Sequence, residues 1–121
     1  MSDQSQEDSD RVTCIGFAAN MADLLVAAAS LKDEHATQEN GNHVVGLIQD
    51  RWASLTAEEH SMGDRFRDKA SAAAGMLNSA AGALESIVPM LGESTYRSNV
   101  DSAVASAEGY INEAIGILYS T

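Results

Sequence analysis

Cysteine and proline occur once each in this chain of 121 residues, as Cys14 and Pro89. A lone cysteine excludes an internal disulfide and fits a reducing compartment, so a cytoplasmic location is expected. The scarcity of proline removes the strongest helix breaker, and abundant alanine favours helix. Basic residues are also few: 7 Lys and Arg stand against 18 Asp and Glu, for a formal net charge of −11. Phosphate contacts need clusters of Lys and Arg, so direct nucleic-acid binding is disfavoured. An anionic membrane surface is disfavoured for the same reason. The polar, acidic start MSDQSQEDSD does not read as a signal peptide. The segment from Ala72 to Gly92 comes nearest to a membrane span, but Asn78, Ser79, Glu85 and Ser86 interrupt it, so it reads as a core helix.

The motifs of several chemistries are missing. Carboxylate di-metal bundles need Glu-x-x-His repeats, and none occurs. His60 with Asp64, or His35 with Glu39, supplies two ligands of the several a metal needs. No G-x-S-x-G turn and no phosphate-binding glycine motif is present. Cys14 lies on an apolar stripe, which makes a poor nucleophile. These readings predict no enzyme, no cofactor and no metal.

What remains is helical periodicity. The hydrophobic content of 45% suits a globular chain, and the length suits one domain. Residues 1–9 are expected as a flexible acidic tail, with a single helical-bundle domain over 10–121. A first helix is predicted from about Asp10 to His35, on the stripe Cys14, Phe17, Met21, Leu24, Ala28 and Leu31. Asn40-Gly41 reads as the following turn, with Asn42 capping a short second helix from His43 to Ser54. Trp52 on that helix is expected to anchor the core. Thr56-Ala-Glu-Glu59 has the form of a capping box and predicts the start of a third helix, which runs to Met90. Gly92-Glu-Ser-Thr95 is a turn, and a fourth helix continues to Tyr119. No strand pattern occurs. The fold expected is all-α: an antiparallel up-and-down bundle of three long helices and one short one.

The third helix organises the rest. Phe66, Ala70, Ala73, Leu77, Ala80, Leu84, Ile87 and Leu91 alternate steps of four and three, a heptad seam for the chain's own core. From Ala70 to Leu84 no face carries a charge. Opposite the seam lie Ser71, Gly75, Asn78 and Gly82, small or neutral residues that let a second helix approach closely. Met62, Met76 and Met90 form a line of adaptable side chains, and Tyr96 and Tyr110 of the last helix are further contact candidates. The basic cluster Arg65, Arg67 and Lys69 alternates with Asp64 and Asp68 and reads as a solvated, self-compensating face.

These features predict a small acidic binding module that covers a surface of a larger protein, in the manner of an inhibitor, an immunity protein or a counter-defence factor. A self-associating structural protein, dimeric through the third and fourth helices, is the alternative. A nucleic-acid mimic is a lesser one, because residues 11–121 carry only seven net negatives with no long acidic run.

Overall fold

The computed structural model describes residues 2–120, with side-chain burial from residue 4. The described chain is all-α. Five α-helices follow one another: α1 Ser2–Asn20, α2 Ala22–Ser30, α3 Gln38–Glu59, α4 Asp64–Glu85 and α5 Arg97–Tyr119, with short 3-10 turns at Val88–Met90 and Ser94–Tyr96.

Residues 2–9, expected as a tail, are the first turns of α1; residue 1 lies outside the described residues. Local pairs support this helical start. The Gln4 amide donates to Asp8 at 3.1 Å, and Arg11 pairs with Asp8 at 3.2 Å. Asp10, expected at the head of the first helix, therefore lies inside it. The predicted first helix is interrupted at Met21, where the Met21 amide donates to the Ala18 carbonyl in a tightened turn. Its apolar stripe continues across this break: Cys14, Met21, Leu24, Ala28 and Leu31 are all buried, while Ala18 takes the buried place expected of Phe17, which is half-buried.

The largest departure from the sequence expectation is α3, which spans 22 residues where a short helix was predicted. Thr37 caps it. The Thr37 hydroxyl accepts from the Asn40 amide at 3.1 Å, and the Asn40 side-chain oxygen accepts from the Thr37 amide at 2.9 Å. Reciprocal capping thus occurs with Asn in the place usually held by Glu or Gln. Asn40-Gly41 lies in the first turn of the helix, not in a loop, and Asn42 is no cap. Gly41 is buried because Val88 and Leu91 press against its Cα, where a Cβ would collide with the Leu91 side chain. Thr56 caps nothing: it lies within α3 and its hydroxyl donates to the Ala53 carbonyl at 3.0 Å.

The helix expected from Thr56 to Met90 begins instead at Asp64, after an elbow at His60–Gly63. The Gly63 amide donates to the Asp10 carboxylate of α1 at 2.9 Å, so α1 caps the head of α4. Every residue of the predicted α4 seam, Phe66 to Leu91, is buried. Helix α4 packs most extensively against α5 and α3. Pro89 is accommodated in the 3-10 turn after α4 ends, where no helical hydrogen bond is lost. Gly92 has φ +86°, the left-handed conformation that turns the chain towards α5. The core face of α5 is Val100, Val104, Ala107, Ile111, Ala114 and Leu118. Tyr110 falls outside this face.

Candidate functional site: the outer face of α4

The α4 seam turns inward, so the opposite side of this helix turns outward. Ser71, Ala72, Gly75, Asn78, Ser79 and Gly82 are all exposed. A Cβ built on Gly75 or Gly82 would meet nothing within 4 Å. No charged side chain arises from α4 between Lys69 and Glu85. Glu85 closes this face at one end, where its carboxylate accepts from the Gln49 side chain at 2.9 Å. Lys69 closes the other, with its ammonium donating to the Ser120 carbonyl at 2.6 Å.

Shallow grooves flank the face. Towards α3, a depression of about 210 Å³ is lined by Gln49, Asp50, Trp52, Ala53, Leu77, Asn78 and Ala81. Towards α5, an open groove of about 520 Å³ runs from Ala83, Ser86 and Met90 to Ser98, Ser102 and Ser106. Trp52 is 40% exposed beside Asn78, although it was expected to anchor the core. The core positions of α3 are taken by Val44, Val45, Ile48 and Leu55, which leaves the indole on the rim.

The methionines do not form the line expected of them. Met62 is buried in the elbow before α4 and offers no surface. Met76 and Met90 are half-buried and packed against the core. Tyr96 and Tyr110 are exposed, at 40% and 36%. Tyr96 lies at the head of α5 and Tyr110 on its outer side. The structure thus keeps Ser71, Gly75, Asn78 and Gly82 together on one open face, adds Trp52 to its edge, and takes Met62 away. An exposed tryptophan has no signature in one sequence. The hint was that α3 has more apolar positions than one face can bury.

The charged side chains leave little for an anionic ligand. Arg11, Arg65, Arg67, Lys32, Arg51 and Arg97 pair with Asp8, Glu7, Asp64, Glu108, Asp23 and Asp101 respectively. Arg65 thus reaches Glu7 on α1, at 3.8 Å, rather than resting wholly on its own helix face. Arg65 and Arg11 also each lie over the Phe66 ring, at 5.2 and 5.7 Å from the centroid. Among the described residues no group of three or more His, Cys, Asp or Glu is placed to hold a metal ion. His35, His43 and His60 are exposed and dispersed over the loops and α3. Cys14 is fully buried; desolvation first, and the nearby Asp10 carboxylate second, push its thiol above the ordinary value of 9.0. A thiol so placed is a core side chain and not a nucleophile.

Comparison with protein-family models, curated proteins and solved structures finds no match. The functional reading therefore rests on the geometry of this chain.

Proposed function

We propose that this chain is a small acidic protein-binding module without enzymatic activity, built as an antiparallel up-and-down bundle, which acts by covering a surface of a larger protein. An inhibitor, an immunity protein or a counter-defence factor has this build. The observation that carries the reading is the open, charge-free face of α4, with Ser71, Gly75, Asn78 and Gly82 uncovered and Trp52 at its edge. Neutral small residues allow close backbone approach, and a rim tryptophan is a side chain enriched where binding energy concentrates. Three contacts support the bundle arrangement: Asp10 with Gly63, Gln38 with the Pro89 carbonyl, and Lys69 with Ser120. The net charge of −11 favours a basic partner surface around the neutral patch.

The test is affinity capture with the full chain as bait, in parallel with Gly75→Arg and Gly82→Arg. Both positions are open, so these variants keep the fold. A partner retained by the parent chain and lost by both variants supports the reading; equal retention by all three removes α4 from it. The alternative, self-association through α4 and α5, draws on the groove between those helices and the exposed Tyr110. A monomeric mass in solution removes that alternative.

A further inference from the structure

Asn40-Gly41 is the one Asn-Gly pair in the chain. Asparagine is chemically labile, and the residue after it decides how fast it reacts. The backbone nitrogen of that next residue attacks the carbon of the side-chain carboxamide. A new C–N bond closes a succinimide ring, and ammonia leaves. Water then opens the ring at one carbonyl to give aspartate, or at the other to give iso-aspartate. Glycine leaves the attacking nitrogen unshielded, so Asn-Gly reacts readily in a chain without structure. Asn40 is exposed, so water reaches it.

The fold holds the reacting atoms out of position. Asn40 lies in the first turn of α3. At helical backbone angles nitrogen 41 lies off the line of approach to the carboxamide carbon, and closure needs ψ of Asn40 to leave the helical region. The Gly41 amide donates to the Thr37 carbonyl at 3.0 Å, so the hydrogen that must leave before attack is engaged. The Asn40 side-chain oxygen accepts from the Thr37 amide and from the Thr37 hydroxyl, both at 2.9 Å, which fixes the carboxamide as well.

Neither residue is free to change. Asn40 is half of the cap of α3, and a Cβ at Gly41 would collide with Leu91. The head of α3 is docked on the turn at 88–91 by this contact and by the Gln38 amide, which donates to the Pro89 carbonyl at 3.1 Å. Capping and packing therefore demand the labile pair, and the same contacts restrain it.

We propose that Asn40 is a latent deamidation site, which reacts only when the first turn of α3 unwinds and lifts from the turn at 88–91. That opening frees nitrogen 41, lets ψ rotate and releases the carboxamide together. Helix ends are where such local opening costs least. Both products add one negative charge, but their fates differ. Aspartate keeps an acceptor for Thr37 and suits the first turn of a helix, so that chain closes again. Iso-aspartate lengthens the main chain by one carbon and cannot follow the helical path. In that chain the head of α3 stays detached, and Val88 and Leu91 are left uncovered. A passing fluctuation is thereby made permanent. The site lies away from the outer face of α4, so this inference does not depend on the reading given above.

The test is incubation of the full chain at pH 8, with the one-dalton gain at residue 40 followed by peptide mass mapping. The parent in native buffer is compared with the parent in urea, with Thr37→Ala and with Ile111→Val. Native parent should react more slowly than the unfolded chain by about tenfold or more. Thr37→Ala should react about fivefold faster than native parent, because one N-cap is lost from the opening equilibrium. Ile111→Val weakens the core of α5 by a similar amount but leaves the head of α3 intact, so its rate should match the parent. In the iso-aspartate chain, amide hydrogen exchange should rise over residues 38–44 and not in α5. Native parent that reacts as fast as in urea overturns the proposal. So does Thr37→Ala that reacts no faster than the parent, or not at all while the unfolded chain is fully converted. Equal acceleration by Ile111→Val assigns the reaction to global unfolding and overturns it too, as does unchanged exchange over 38–44.

Discussion

Asp10 on α1 and Gly63 at the head of α4 are joined by a hydrogen bond of 2.9 Å, although 53 residues separate them in the chain. Asp10 is 4% exposed, and its other oxygen accepts from the Gln6 side chain at 2.8 Å. Removing this carboxylate strands a backbone amide at the elbow. Asp10→Ala is expected to lower stability by about 2 kcal/mol, the scale of a hydrogen bond to a charged group. Asp10→Asn should lose less, since an amide oxygen still accepts from Gly63. Urea denaturation of the two variants checks the order.

The two threonines that begin plausible capping motifs differ in the fold. Thr37→Ala removes a working N-cap and should cost about 1 kcal/mol. Thr56→Ala removes only a back-bond to the Ala53 carbonyl, and should stay within about 0.5 kcal/mol of the parent. Equal losses in thermal or urea unfolding would contradict the start of α3 at Gln38.

Burial raises the Cys14 thiol above its ordinary value of 9.0, with Asp10 adding to the shift. The sign follows from proton uptake. Above the unfolded value the unfolded chain loses the thiol proton first, so it binds fewer protons than the native chain and stability falls as pH rises. The contribution is complete below pH 9 and is lost as pH climbs through the raised native value. The slope of unfolding free energy between pH 8 and pH 10.5 should be steeper for the parent than for Cys14→Ala. Alkylation by iodoacetamide at pH 8 should follow unfolding and not precede it.

The glycines divide by what surrounds them. Gly75→Ala and Gly82→Ala put a methyl group into open space on a helix and should each raise stability by about 0.5–1 kcal/mol. Gly41→Ala drives a methyl group against Val88 and Leu91 and should lower it, because overpacking outweighs the gain in helix propensity. Melting temperatures of the three variants test the contrast.

The buried side of the fold was legible because core packing imprints a period on the sequence. The α4 seam from Phe66 to Leu91 and the stripe through Cys14, Met21 and Leu31 both show it. Helix boundaries were not, since they depend on partners distant in sequence. Thr56-x-x-Glu59 satisfies the capping pattern, but burial of Leu55 keeps that turn inside α3. Asn40-Gly41 looks like a breaker until Val88 and Leu91 supply the reason for a glycine. The cap of α4 comes from another helix, so no local motif announces it. Of the surface, Ser71, Gly75, Asn78 and Gly82 could be read as the complement of a seam. Trp52 could not, because periodicity does not say which of several apolar residues is left outside.

That single indole has a use beyond contact. Trp52 is the chain's only tryptophan, and at 40% exposure it is already partly wet, while Ile48 and Leu55 of the same helix are buried. Its fluorescence therefore belongs to the α3–α4 groove more than to the core. Unfolding should shift the emission to the red, whereas occupation of the α4 face should dry the ring and shift it to the blue. The protein carries its own optical gauge for telling a covered surface from a lost fold, with no label attached.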